Sequence, residues 1–421
     1  MFCLLLYLCT APVLAQIKGS EIRVVVSPNH TDWTYRLKEK CTFTVQVYKA
    51  QNLLPGVKID YELGPEWYPT EQKEGILLKD GKKILSGSMD KPGFFRCKVI
   101  AHVGDRTYEG MATAAYEPEK IKPYAVDPDD FDSFWENSLK EARQIPLSPT
   151  MELLPERCTD LVNVYHVSFQ NIRYGSRTFG ILCMPKAPGK YPALLRVPGA
   201  GVRPYSGDVE TASKGAITLE IGIHGIPVNL PQAIYDELAQ GALYNYQYQN
   251  DNSRDNIYYK RVFIGALRAV DFIASLPQHD GKTIGVTGSS QGGALSIMTA
   301  ALDKRITFYA AIHPAMCDHR AHLNQRAGGW PHYFRYFPNP SKERLQTADY
   351  YDMVNFARRI TVPGWFSWGY NDDVCPPTST YATYNIITAP KELHPYLETK
   401  HFWYEEQYAA WNQWLWKQMG L

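Results

Sequence analysis

Residues Lys282 to Leu295 read KTIGVTGSSQGGAL, a β-branched run that breaks into Gly288-Ser289-Ser290-Gln291-Gly292 and passes straight into an alanine-rich, helix-forming stretch. A serine hydroxyl is a weak nucleophile. It becomes a strong one when a tight strand-to-helix turn exposes it to a histidine that can take its proton and to backbone N–H groups that can hold an oxyanion. The spacing predicts such an elbow with Ser290 at its tip and Ser289 as a neighbour only. Gly288 and Gly292 flank it because a Cβ at either position would crowd the turn.

Chemistry at an elbow of this kind needs an acid and a histidine later in the chain, each just past a further strand. After the strand candidate GWFSWGY come Asn371, Asp372 and Asp373, and after ELHPYLETK comes His401. Either aspartate could serve as the acid, the other serving the turn before PPTST. His394 precedes a proline early in its strand, which leaves His401 as the base. Two N–H donors are also required, and the expected pair is Gln291, next after the serine, with Ala200 in the ALLRVPGAG loop.

These residues need a scaffold, and the pattern from Phe131 to Leu421 supplies one. VNVYHVSFQ, RTFGILCMP, ALLRVPG, AITLEIGI, KTIGVTG, TFYAAIHP, GWFSWGY and ELHPYLET are eight strand candidates, interleaved with helical stretches such as YYKRVFIGALRAVDFIASLP. Alternation of this kind predicts an α/β-hydrolase fold, a mostly parallel sheet with helices on both faces. Residues 20–117 instead alternate apolar and polar residues in short runs broken by turns, as an immunoglobulin-like β-sandwich would. The proline-rich, charged stretch 118–130 between them reads as a linker.

The chain has 421 residues, 45% hydrophobic and 13% aromatic, with a formal net charge of +1. Such a balance offers no electrostatic reason to bind nucleic acid or an anionic membrane. Residues 1–15, MFCLLLYLCTAPVLA, are expected to be a signal peptide cleaved before Gln16, which implies a secreted or periplasmic protein; the run is too short to span a bilayer. No cysteine pair has CxxC spacing, so no zinc site is expected. Cys41 and Cys97 read equally as a sandwich disulfide or as two buried thiols.

The segments YYKRVFIGALRAVDFIASLPQHDGKTIGVTGSSQGGAL, NDDVCPPTSTYATYN and KELHPYLETKH resemble the acetyl xylan esterase and cephalosporin C deacetylase family, carbohydrate esterase family seven, from about Tyr124 to Leu421. Gln291 is a family mark. The match over Val374-Cys375-Pro376-Pro377 implies Asp372 rather than Asp373 as the acid, and the spacing to His401 agrees with the family histidine. The resemblance implies a secreted serine esterase that removes acetyl groups from xylan or its oligosaccharides, with no metal or cofactor, in a family that often assembles as homo-oligomeric rings. A peptidase or other carboxylesterase on the same fold, and a non-catalytic carbohydrate-binding protein, are the alternatives. The chain departs from the family at Gly222–Pro227, where Arg-Gly-Gln is usual, at Phe402, where glutamate is usual, and at Pro198-Gly199-Ala200, where His-Gly-Tyr is usual. Loss of the tyrosine ring implies a wider pocket mouth, with Trp330 or Trp368 as candidates to close the acyl side.

Overall fold

The computed structural model describes residues 21–421, so the expected signal peptide lies outside the described residues. Residues 22–116 form two packed sheets. One has four strands, Ile22–Pro28, Cys41–Lys49, Asn52–Leu53 and Lys82–Gly87; the other has five, Thr34–Tyr35, Arg106–Tyr116, Gly93–Val103, Val57–Pro65 and Glu71–Leu78. The strand Cys41–Lys49 alternates buried and half-exposed residues over almost its whole length, as a strand with one face on a core must. Cys41 and Cys97 both lie in that core as free thiols, so of the two readings the buried-thiol one holds. Burial pushes the Cys41 thiol up to about 11, and an apolar setting of this kind makes a thiol inert.

The larger region is built on a nine-stranded sheet, one strand more than expected. In chain order its strands are β1 (Thr150–Leu153), β2 (Val162–Gln170), β3 (Arg177–Pro185), β4 (Tyr191–Arg196), β5 (Ile217–Ile221), β6 (His279–Ser289), β7 (Ile306–Ile312), β8 (Gly364–Ser367) and β9 (Lys391–Leu393). Their spatial order is β1-β2-β3-β5-β4-β6-β7-β8-β9, antiparallel up to β5 and parallel beyond it. The unexpected strand, β1, is exposed at all four residues, so no buried-and-exposed alternation marks it in the sequence. The parallel half puts the carboxyl ends of β4, β6, β7 and β8 on one edge, where loops from distant parts of the chain meet.

Helices α1 (Phe131–Arg143), α2 (Tyr258–Ser275), α3 (Gln291–Leu302), α4 (Pro377–Tyr384) and α5 (Glu405–Met419) cover the sheet. One continuous apolar cluster holds Phe43, Val45 and Phe95 of the sandwich together with Phe263, Leu295 and Phe366 of the sheet region. The two regions thus share a core. The stretch expected to be a linker is pinned to the larger region: Tyr124 and Ala125 donate backbone N–H bonds to the Asp318 carboxylate, and Asn385 donates to the carbonyls of Pro118 and Ile121.

His319, in the segment after β7, is sealed against Tyr333 with neither ring nitrogen hydrogen-bonded. Burial, followed by the neighbouring His332, pushes its pKa from 6.5 down to about 3. Over that interval the unfolded chain binds a proton that the native state does not, so stability from this residue is lost as pH falls, by about 1.4 kcal/mol per pH unit. His319→Phe is therefore expected to flatten the fall in unfolding free energy between about pH 6 and 4 by roughly that slope. Urea denaturation at several pH values checks it, and an unchanged slope would contradict the assignment.

Candidate active site

The end of β6 turns into α3 at Ser290, whose φ of 62° and ψ of −122° are unusual for any residue with a side chain. The turn is tight because it is wedged between two neighbours. A Cβ on Gly288 or Gly292 would lie 2.3 or 2.4 Å from the Val197 carbonyl oxygen at the end of β4. On the other side Ser290 donates its N–H to the Ile312 carbonyl and accepts from the Ala315 N–H, which anchors the elbow to the end of β7. Strain at this serine is held in place by packing on both sides.

The acid and the histidine come from the loops after β8 and β9. These loops touch backbone to backbone: a Cβ on Gly369 would stand 1.9 Å from the Thr399 carbonyl oxygen. Asp372 is fully buried. Its Oδ1 accepts the N–H groups of Val374 and Cys375, at 2.9 and 2.8 Å, and its Oδ2 accepts the His401 Nδ1–H at 2.8 Å. Burial alone would raise this carboxyl, but the close approach of the His313 ring and the hydrogen bond from His401 outweigh it and hold Asp372 well below the ordinary carboxylate range. It is therefore ionised at neutral pH. With Nδ1 donating to Asp372, a neutral imidazole at this position has Nε2 as its acceptor. Asp373 is only half-buried and does not meet His401, while His394 is exposed just after β9, stacked on Trp365 and paired with Glu392.

Ser290 makes no hydrogen bond to His401 in this structure; its side chain interacts with the buried Cys375 thiol, three residues beyond Asp372. A bond from nucleophile to base commonly tightens only around substrate. Asp372 also has a second imidazole neighbour. His313, at the end of β7, stands with Nδ1 3.4 Å from the same Oδ2, outside hydrogen-bonding geometry, and burial lowers its pKa and keeps it neutral. Trp403 stacks against it with ring centroids 6.3 Å apart. The ligating atoms of His313, Asp372 and His401 lie within 4.8 Å of one another, a spacing that a metal ion could also use.

The loop after β4 is fixed atom by atom. Gln291 Nε2 donates to the Pro198 carbonyl, Arg203 donates to the carbonyls of Gly199 and Ala200, and the Gly201 N–H meets the Tyr246 hydroxyl at 3.4 Å. His224 Nε2 lies 3.0 Å from the Gly201 carbonyl oxygen, and burial pushes its pKa down to about 4, so the ring is neutral. The Gln291 side-chain oxygen Oε1 in turn accepts the hydroxyls of Tyr246 and Tyr259, both at 2.8 Å. The backbone N–H groups of Ala200 and Gln291 enter no backbone hydrogen bond, as expected of Gln291 in the first turn of a helix.

These contacts revise the picture drawn from sequence in two places. Arg203 folds back over the loop at Gly199 and Ala200, so a charged side chain stands at the position of the loop where the sequence pointed only to an open mouth. Trp368 is fully buried among Phe366, Tyr381 and Tyr384 and is part of the core, whereas the Trp330 backbone lies beside Cys375. Sequence reasoning passed over His313, Tyr246, Tyr259 and Arg203. It noticed Gly222–Pro227 only as a departure, although His224 within it supports the loop.

The family model for acetyl xylan esterase (AXE1) matches residues 111–419. The chain belongs to this family. The match begins within the last strand of the N-terminal sandwich, earlier than the resemblance suggested. A curated relative, acetyl esterase Axe7A of Xylanibacter ruminicola, is 39% identical over 371 residues, covering 87% of this chain and 83% of the relative. Among solved structures, the acetyl xylan esterase from Paenibacillus sp. R4 is similar at a TM-score of 0.62 and 26% identity, covering 71% of this chain and 98% of that one. Acetyl xylan esterase 1 from Thermoanaerobacterium sp. shares the fold at a TM-score of 0.60 and 23% identity, covering 72% and 98%. The protein is thus a carboxylic ester hydrolase with the α/β-hydrolase fold.

Gln291 supports the loop at 198–201 through its side chain, and the consequence is measurable. Gln291→Leu keeps the volume but strands two buried tyrosyl hydroxyls and the Pro198 carbonyl, at a cost of about 1–3 kcal/mol for each group left unpaired. It is expected to lower the thermal midpoint and to slow turnover of 4-nitrophenyl acetate by more than tenfold, with Gln291→Glu intermediate. Wild-type turnover in the leucine variant would show that the loop does not depend on this side chain.

Proposed function

We propose that this esterase removes acetyl groups from acetylated xylan or its oligosaccharides through Ser290, His401 and Asp372 and an acetyl-enzyme intermediate. The observation that carries the reading is the buried, ionised Asp372 bonded to His401 Nδ1 beside a strained serine elbow, in a chain of the acetyl xylan esterase family. The Ser290 hydroxyl adds to the acetyl carbonyl as its proton passes to His401 Nε2, and the oxyanion is received by the N–H groups of Gln291 and Ala200. Each such donor contributes about 2.7–4 kcal/mol to the transition state. Collapse expels the sugar alkoxide, which takes the proton from His401, and leaves acetyl on Ser290. Water, deprotonated by the same imidazole, then releases acetate and restores the serine.

Xylan is favoured as substrate by family membership and by the names of the two acetyl xylan esterases that share the fold. Export is supported by the MFCLLLYLCTAPVLAQ segment, and mass spectrometry of the mature protein should find Gln16 at its N-terminus. A second reading, metal-assisted hydrolysis, rests on the His313, Asp372 and His401 spacing. Activity that survives exhaustive chelation rejects it.

Two pairs of substitutions test the assignment. Ser290→Ala is expected to abolish acetate release from acetylated xylo-oligosaccharides, by about a millionfold in turnover, while Ser289→Ala keeps substantial activity. Activity of the first variant above roughly one per cent would move the nucleophile elsewhere. Asp372→Asn should cost about ten-thousandfold in turnover by spoiling the imidazole tautomer, and Asp373→Asn should cost far less. Equal losses in the two would refute the choice of acid.

A further inference from the structure

The loop that carries Asp372 is held from the far side by residues of the N-terminal sandwich. Arg96, on the strand Gly93–Val103, is buried, and its Nη2 donates to the Tyr370 carbonyl at 3.1 Å and to the carbonyl of Asp372 itself at 3.0 Å. The same nitrogen meets Glu66 Oε2 at 3.0 Å, and Glu66 Oε1 accepts the Thr378 N–H at 2.9 Å, at the start of α4. Thr113 accepts from Arg96 Nε and donates its hydroxyl to the Asn371 side chain at 2.8 Å. Asn371 then donates to the carbonyls of Met111 in the sandwich and Glu398 in the loop after β9. Lys400, next to His401, pairs with Glu109 of the sandwich. Phe94 adds an edge contact to Tyr370, ring centroids 5.0 Å apart.

Residues 370, 371, 372, 378 and 400 are thus each tied to a sandwich side chain, and the ties bracket both members of the Asp372–His401 pair. An arginine carries N–H donors on separate nitrogens of one rigid plane, so Nη2 can face the two carbonyls and Glu66 while Nε donates to Thr113, two positions that the single nitrogen of a lysine cannot occupy at once. We propose that Arg96, oriented by Glu66, is a positioning residue of the active site, and that the N-terminal sandwich serves the esterase by fixing the loop from which Asp372 orients His401. The proposal rests on the assignment of Ser290, His401 and Asp372 as the catalytic groups. It does not need the sandwich to touch substrate. Displacement of a reacting group by about 1 Å costs on the order of a hundredfold in rate, and that is the effect expected when this bracing is removed.

The test uses the whole chain and separates geometry from folding by following fluorophosphonate labelling of Ser290, which reports the amplitude (the fraction of active sites) and the rate at each site. Arg96→Met is expected to label to wild-type amplitude but about a hundredfold more slowly, with kcat for 4-nitrophenyl acetate falling in parallel and KM little changed. Arg96→Lys should recover part of the rate. Tyr68→Phe, which loses a different contact between the sandwich and the larger region, at His322, should keep the wild-type rate. If the arginine variants lose amplitude while the sites that remain react at the wild-type rate, the sandwich only stabilises the fold and the proposal is overturned. Should Arg96→Met fail to fold, Arg96→Lys and Glu66→Gln decide, and wild-type rates in both overturn it. Failure of the wild type to label at Ser290 refutes the catalytic assignment itself.

Discussion

A carboxylate with no surface exposed to water must be paired or it will take up a proton, and Asp372 is such a group. Two backbone N–H donors satisfy one oxygen and His401 satisfies the other. Because the N–H donors belong to residues two and three places further on, the loop must curl around its own aspartate. Because His401 lies on another loop, the segments after β8 and β9 must touch, which the absence of a side chain at Gly369 permits. His313 brings a second neutral ring to the same oxygen without bonding it, and Trp403 covers that ring. The negative charge is thereby kept dry and directed at one imidazole nitrogen.

The other half of the site is organised around an amide. Gln291 presents its backbone N–H at the first turn of α3 while its side chain reaches back to Pro198 and forward to two buried tyrosines. One residue therefore links the elbow, the loop after β4 and the helix α2 on which Tyr259 sits. Every carbonyl from Pro198 to Gly201 has a donor or an imidazole against it. The family's usual aromatic ring is missing at Ala200, and Arg203, Tyr246 and His224 now hold the backbone there.

The N-terminal sandwich belongs to the same physical unit. Its core runs into that of the sheet region without a break, and the stretch between them is held along its length by Asp318, Asn385 and Asn355. A domain tethered for its own purposes would keep a solvated surface towards its neighbour. Here a buried arginine and a buried glutamate point across the boundary instead, and burying them is tolerable only because the loop's backbone offers them partners.

How much of this could be read in the sequence depends on how local each feature is. The elbow was legible because its glycines, its serine and the switch from strand to helix fall within fourteen consecutive residues. The order serine, acid, histidine was legible because each follows its own strand, and the alternating patterns that predict strands are local too. The choice of Asp372 over Asp373 needed the family's Val-Cys-Pro-Pro context, and the tertiary structure places that carboxylate, not its neighbour, on His401. The exposed strand β1, the free state of Cys41 and Cys97, and the burial of Trp368 were beyond reach of any pattern. So was the support of the site: Arg96 meets the Asp372 carbonyl across 276 residues of chain, and Tyr246 meets Gln291 across 45. The sequence by itself determined which groups could do the chemistry and in what order. Only the tertiary structure decided what holds them, because a buried polar side chain finds its partner through packing, and packing leaves no periodic trace in the chain.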